Sequence, residues 1–264
     1  MRKEGVCMGE FDGKTVLVTG GASGIGSFAA AAFAERGARV CIAGRREDRL
    51  AETLGALRFE GGAGMYAVCD VSDEGEVSRM MAEVLDRFGR VDIVVNSAGT
   101  SGQFAVGNAE AGFDEWRREV DVNLNGCAYV CGAAIPSMLE RGWGRIVNIA
   151  SVNAFLASKT VPRHPYNASK AGVCGLTRGI SSTYASAGIT VNALCPGLFE
   201  TEMTQGFFSN SFALSTFNRQ IPAGRPGRPD EIVGPILFLA SESASYVTGQ
   251  CIAVDGGMAT GSFI

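Results

Sequence analysis

Tyr166 and Lys170 lie four residues apart in Tyr166-Asn167-Ala168-Ser169-Lys170, at the start of a segment with an apolar stripe of helical period. Residues at that spacing share one helix face, so a phenol and an ammonium point to one place. A nearby cation favours the phenolate, and Tyr166 could then pass a proton to or from a carbonyl oxygen. A solvated helix face can carry the same pair. Ser151 adds weight, because it follows the apolar run Arg145–Ile149 and Ala150, and the carboxyl ends of parallel strands are where reactive groups collect. Its hydroxyl can donate to the same carbonyl oxygen.

A second group of residues is suited to a phosphate. Thr19-Gly20-Gly21-Ala22-Ser23-Gly24-Ile25-Gly26 follows an apolar run directly and opens a helical segment. A Gly-rich turn in that context lets backbone N–H groups approach a pyrophosphate at a helix N-terminus, whose dipole favours anions. This is a candidate dinucleotide turn, with an ordinary tight turn as the structural alternative. In such units an acidic residue about 20 positions on takes the ribose hydroxyls of NAD, whereas Arg accommodates the 2′-phosphate of NADP. The second apolar run ends Ala43-Gly44-Arg45-Arg46, with no carboxylate at its end. Arg45 and Arg46 are therefore expected to clamp a 2′-phosphate, and NADP is the expected cofactor. NAD is the alternative, since Arg46 and Arg49 could only solvate a helix start and Glu47 or Asp48 could reach a ribose.

Positioning these groups requires strands that alternate with helices, and the hydropathy pattern supplies them. Strands are expected at Thr15–Thr19, Arg39–Ala43, Met65–Val68, Asp92–Asn96, Arg145–Ile149, Thr190–Leu194 and Cys251–Val254. Between them, helices are expected near Gly24–Arg36, Arg46–Glu60, Asp73–Phe88, Phe113–Leu139, Tyr166–Ser186 and Pro229–Ala240. This alternation predicts an α/β fold: one Rossmann-type, doubly wound domain over 1–264, with a seven-stranded parallel sheet and helices on both faces. Residues 1–11 read as an N-terminal extension. The stretch 196–228, rich in Phe and Ser and without clear period, reads as an insertion over the sheet's carboxyl edge.

Composition sets the outer bounds. The chain has 264 residues, enough for one large core but cramped for two unrelated domains. Its 23 Lys and Arg against 27 Asp and Glu leave a charge of −4 without a basic cluster, which argues against nucleic acid or an anionic membrane as a partner. No stretch approaches about 18 consecutive apolar residues and Met1–Phe11 has no apolar core, so a cytoplasmic protein is expected. The eight cysteines Cys7, Cys41, Cys69, Cys127, Cys131, Cys174, Cys195 and Cys251 form no C-x-x-C pair and read as buried free thiols, with no metal site. Gly, at 36 residues, is the one outlier, and without a repeat its place is in turns and close backbone approaches.

With these residues in view, the chain from about Phe11 to Met258 resembles a short-chain dehydrogenase/reductase. The family's Thr-Gly-x-x-x-Gly-x-Gly appears as Thr19-Gly20 through Gly24 and Gly26, with Ser23 and Ile25 among the expected cofactor contacts. The acidic residue that meets adenine would be Asp70, followed by Val71. The family's Asn-Asn-Ala-Gly appears as Asn96-Ser97-Ala98-Gly99, departing at Ser97. Pro196-Gly197 and Thr201 would lie near the nicotinamide carboxamide. The resemblance implies a catalytic tetrad of Asn123, Ser151, Tyr166 and Lys170, with Tyr166 as acid/base and Ser151 polarising the carbonyl. Lys170 would also bind the nicotinamide ribose, and Asn123 would hold a water on a proton path, although a structural Asn would look the same. The reaction implied is reversible hydride transfer between the nicotinamide and a secondary alcohol or ketone, in a homo-oligomer, tetramer or dimer.

Substrate is less legible. Phe199, Phe207, Phe208, Phe212 and Phe217 crowd the insertion and suit a lid over a bulky apolar substrate of hydroxysteroid or 3-oxoacyl type; packing within the lid or between copies is the alternative. The segments around Gly234–Ala240 and Ala134–Met138 are similar to those of sugar-acid dehydrogenases of the same family, which keeps a polyol substrate open. A non-catalytic dinucleotide-binding protein is disfavoured, because both Tyr166 and Lys170 are present. His164, the one histidine, reads as a surface-loop residue or a substrate contact.

Overall fold

A computed structural model of the chain describes residues 9–108 and 112–260. Apolar runs of four to eight residues form β1 (Thr15–Thr19), β2 (Arg39–Gly44), β3 (Gly64–Val68), β4 (Ile93–Asn96), β5 (Gly144–Ile149), β6 (Ile189–Pro196) and β7 (Cys251–Val254). All pair in parallel, in the order β3-β2-β1-β4-β5-β6-β7. The helices are α1 (Gly24–Ala34), α2 (Glu47–Ala56), α3 (Glu74–Phe88), α4 (Asp114–Val120), α5 (Gly126–Leu139), α6 (His164–Tyr184), α7 (Gln205–Phe208), α8 (Ser211–Asn218) and α9 (Pro229–Ala240).

Because side chains alternate along a strand, each strand supplies both faces of the sheet. Val16, Val18, Ile42 and Val95 pack with Ala30 and Phe33 of α1 and Ile232 and Ile236 of α9. Leu17, Cys41, Val94 and Ile146 pack on the other face with Met80 and Val84 of α3, Val130 and Ala134 of α5, and Val173 of α6. The chain is thus doubly wound, with a core on either side of the sheet. Its order reverses between β1 and β4, and their ends Thr19 and Asn96 stand opposite each other in register. The crevice outside those ends is where an open α/β sheet takes a ligand.

The structure departs from the sequence expectations at several element ends. The run Phe113–Leu139 is not one regular helix, since a π turn over Asp121–Asn125 joins α4 to α5. The extra residue turns Asn123 inward, where its carboxamide both accepts from Thr100 N–H at 2.8 Å and donates to Thr100 O at 2.9 Å. Those two bonds offset the poorer helical geometry. The second helix stops at Ala56 rather than Glu60, with Arg46 as its N-cap and not in its first turn. Leu57 is already extended, and Gly62 then passes close to the chain before β2, where an added Cβ would meet Ala38 O at 2.1 Å. The stretch 196–228 contains α7 and α8, whose lengths of four and eight residues are too short to show a period.

The N-terminal segment is only partly described: Cys7 lies outside the described residues, while Phe11 is buried edge-to-face on Phe33 with ring centroids 4.9 Å apart. The seven described cysteines are free, six of them buried. Burial pushes the Cys41 and Cys69 thiols up to about 12. No described helix is long and apolar enough to cross a membrane.

Candidate active site

The Gly-rich turn is shaped by what glycine permits. Gly20 and Gly24 have φ of +64° and +54°, a region that side chains disfavour. A Cβ on Gly26 would stand 2.3 Å from Gly20 O, and one on Gly20 would stand 2.8 Å from Ala98 Cα. Ser23 is the extended N-cap of α1 but makes no side-chain cap bond, and the first turn has no acidic residue. The positive helix end is therefore left for an anion. Ile25 is half-buried beside the α1 and α9 core. A Cβ on Gly24 would stand 3.0 Å from the Thr201 methyl. A cradle that a single Cβ would fill, at a helix N-terminus whose first turn carries no acidic residue, fits the pyrophosphate of NAD or NADP.

The neighbouring turns are tied to this one. Thr19 Oγ1 accepts from the N–H groups of Ser97 and Ala98 at 3.2 and 3.3 Å. Ser97 enters this tie only through its backbone, which explains how the departure from Asn is accommodated. Asn96 is buried and donates to Asn148 Oδ1 at 2.9 Å. At the end of β3, Asp70 accepts from the N–H and hydroxyl of Ser72 at 3.0 and 2.7 Å. Burial raises the Asp70 pKa, but the Ser72 bonds and the Arg45 charge 3.8 Å away outweigh it, and the net shift is downward. Val71 packs against Gly126, whose added Cβ would lie 2.8 Å from it. Pro196 ends β6, and Gly197 fits against Asp255, where a Cβ would stand 2.9 Å from Cα.

Arg45 and Arg46 do not form a shared clamp in this structure. Arg45 faces Asp70, whereas Arg46 is held by Glu202 through two hydrogen bonds of 2.6 and 2.7 Å. Arg46 is thus already paired with a carboxylate that the sequence expectation did not include. A partner 156 positions away leaves no trace in a local motif.

Asn123, Ser151, Tyr166 and Lys170 converge from three elements, all of them nine-tenths or more buried. Lys170 Nζ donates to Ile149 O at 2.9 Å and lies 5.7 Å from the Tyr166 ring centroid. Asn123 donates to Ser169 Oγ at 3.1 Å and is thereby joined to the helix that carries Tyr166 and Lys170. A Cβ on Gly99 would stand 3.2 Å from Asn123 Oδ1 and 3.5 Å from Lys170 Nζ, so this bare position keeps the two polar groups open to each other. Ser151, just beyond β5, caps a short turn by accepting from Asn153 N–H at 3.1 Å. A cavity of about 10 Å³ touches Thr19, Asn96, Asn123 and Ile149, with Asn96 Oδ1 free of any partner, which is room and polarity for about one water. A larger open cavity of about 350 Å³, lined by Leu198, Phe199, Ile221 and Asp255, touches none of the four.

Several supporting residues escaped the motifs. Asn167 Nδ2 donates to the carbonyls of Asn153 and Leu156 at 2.8 and 2.6 Å, fastening the Ser151 loop to α6. His164 opens α6 rather than lying in a loop, and its Nδ1 accepts from Val106 N–H at 2.9 Å. Glu119 is buried, with one oxygen on Gly102 N–H at 2.8 Å and the other unpartnered. Phe199 belongs to the core and not to a lid, while Phe207 and Phe217 pack with tilted rings 5.6 Å apart and Phe212 is exposed.

A parallel sheet wound on both faces, a Gly cradle at its switch point and a Ser, Tyr and Lys group beside it define a nicotinamide-dependent oxidoreductase. Residues 20–259 match the family model described as enoyl-(acyl carrier protein) reductase. The chain is 34% identical to a 3beta-hydroxysteroid dehydrogenase of Mediterraneibacter gnavus, over 97% of this chain and 98% of that protein. It is 38% identical to a 3-oxoacyl-(acyl-carrier-protein) reductase of Chlamydia muridarum, over 93% and 97%. A gluconate 5-dehydrogenase of Burkholderia cenocepacia, solved with NADP and tartrate, superposes with a TM-score of 0.88 at 37% identity, covering 96% of this chain and 98% of that one. The chain belongs to the short-chain dehydrogenase/reductase family and is an NAD(P)-dependent oxidoreductase acting on CH–OH groups.

Proposed function

We propose that the chain interconverts a bulky, largely apolar secondary alcohol and its ketone, with NADP as cofactor. The observation that carries the substrate reading is the exposure of Phe155, Met203 and Phe212, large apolar side chains on the loop after Ser151 and on the insertion after Pro196. The bound nicotinamide supplies or takes the hydride. The protein supplies the proton at the substrate oxygen: Tyr166 transfers it, and the Ser151 hydroxyl donates to the same oxygen and orients it. Lys170 places its ammonium beside the phenol ring, 5.7 Å from the centroid, and holds the nicotinamide ribose. Asn123, which borders the same space beside Gly99 as Lys170, carries the proton path toward water. Gly20, Ser23, Gly24, Ile25 and Gly26 cradle the pyrophosphate; Asp70 and Val71 flank adenine; Asn96, Ala98 and Gly99 flank the ribose. Pro196, Gly197 and Thr201 meet the carboxamide, and Arg45 and Arg46 serve the 2′-phosphate.

A sugar-acid substrate is the second reading, supported by the likeness to the gluconate 5-dehydrogenase and by Arg163, a half-buried cation three residues before Tyr166. A homo-oligomer, tetramer or dimer, in the cytoplasm completes the proposal; exposed Phe238 on α9 and Tyr246 beyond it provide apolar surface for a second copy. The test follows nicotinamide absorbance with steroid alcohols, 3-oxoacyl thioesters and sugar acids, each with NADP and NAD. Turnover with sugar acids alone would overturn the apolar reading.

A further inference from the structure

The turn after β2 and the Gly-rich turn form one concave edge. Gly21 N–H donates to Ala43 O at 3.3 Å, and Thr53 Oγ1 in α2 donates to Ala22 O at 3.2 Å. Three guanidiniums stand there, each facing a carboxylate. Arg45 faces Asp70 and Arg49 faces Glu52, both local to this edge. Arg46 alone takes a carboxylate from a distant segment, Glu202, which follows Thr201 across the mouth of the crevice. Both Glu202 oxygens are used, in the paired geometry that a phosphate would also accept. The Arg46 bonds chiefly hold the Glu202 pKa down to about 2, and the Ser23 hydroxyl and the more distant Arg49 pull the same way. The anion on Arg46 therefore stays charged at neutral and mildly acidic pH.

We propose that Glu202 tempers the preference for NADP: its carboxylate holds the Arg46 position that the adenosine 2′-phosphate needs, so NADP must displace it while NAD leaves it in place. The inference rests on the reading of Arg46 as a 2′-phosphate contact. Two anions cannot share one guanidinium fork without repelling each other, and the phosphate also brings its own charge against the carboxylate. NADP binding thus releases the 201–204 turn from α2, whereas NAD binding keeps that turn fastened across the crevice. Because the pair is half-exposed, with side-chain exposures of 48% and 53%, its opposition is modest. An exposed pair of this kind alters an affinity by about two- to fivefold.

Calorimetry on the full chain, with NADP, NAD and adenosine 2′,5′-bisphosphate as probes, tests this directly. Glu202→Gln should tighten NADP and the bisphosphate about two- to fivefold and leave NAD within a factor of about two. Glu202→Asp keeps the charge on a shorter stem that cannot reach both nitrogens, and should give an intermediate value. An unchanged NADP to NAD ratio in Glu202→Gln, or equal weakening of both cofactors, would overturn the proposal and leave Glu202 as a support of the loop. The double variant Arg46→Ala with Glu202→Gln separates the underlying reading. If it binds the bisphosphate as tightly as Glu202→Gln alone, Arg46 is no phosphate contact and both statements fall. If it binds more weakly while Glu202→Gln shows no gain, Arg46 keeps its role and only the Glu202 proposal fails.

Discussion

Tyr166 is nine-tenths buried beside a lysine that is itself anchored on a backbone carbonyl, and that pairing decides what each substitution should do. Tyr166→Phe keeps the ring and its packing but removes the proton donor. Its kcat should fall about 10²- to 10⁴-fold while the cofactor dissociation constant stays near that of the unaltered protein. Steady-state rates alongside calorimetric NADP binding check this, and more than about a tenth of the original kcat would contradict the role. Lys170→Met removes the bond to Ile149 O and a cation beside the phenol, so kcat and cofactor affinity should both fall. Lys170→Arg keeps a charge but replaces a compact ammonium with a wider planar fork, and only partial recovery of either quantity is expected. Normal cofactor affinity in Lys170→Met would remove the ribose contact from the assignment.

Elements place these residues, and one element carries an unexpected charge. The π turn between α4 and α5 and the chain from Thr100 to Phe104 are joined through Asn123 and Glu119. Burial raises the Glu119 pKa, only partly offset by the Gly102 N–H bond. A carboxyl raised in the folded state is better tolerated protonated, so its cost is absent below the unfolded value near 4.3 and grows as pH climbs to the folded value. Glu119→Gln, which keeps an acceptor for Gly102 N–H, should therefore raise Tm by about 2–4 °C at pH 7, with the gain shrinking toward zero near pH 4. A thermal melt series across that range is the check; a gain independent of pH would point to packing instead. Such an element also shows where sequence reading stops. β1 and β7 were legible to the residue because each is a short apolar run bounded by turn residues, buried in β1 and half-exposed at the sheet edge in β7. The π turn was not, since one extra residue barely alters a 3.6-residue period. The Gly cradle and the Tyr166 and Lys170 pair were legible because their members are close in sequence. Contacts such as Arg46 to Glu202, or His164 to Val106, join segments that no local pattern relates.

At the scale of the molecule, the crevice at the switch point is where the two halves of the sheet meet, so a cofactor bound there ties both to the folded state. Ligand that binds only the native chain stabilises it by about 2.7 kcal/mol at a hundred times its dissociation constant. For a chain of this size that is a rise in Tm of about 5–10 °C. The size of the rise reports affinity, which makes it a way to weigh the two arginines without any substrate. Arg45→Ala with Arg46→Ala removes charge-assisted contact to a 2′-phosphate, worth about 1.5–3 kcal/mol in all if one guanidinium carries it, and should raise the KM for NADP about ten- to a hundredfold. The same double change frees Asp70 and Glu202 from their partners, which adds negative charge facing the phosphate and works in the same direction. NAD carries no 2′-phosphate and should keep its KM and its thermal shift. At a concentration of NADP that gives the full rise in the unaltered protein, the variant should show a rise of only about 1–6 °C. Equal loss of both thermal shifts would mean that the arginines hold the loop itself, and the preference for NADP would need another origin in the site.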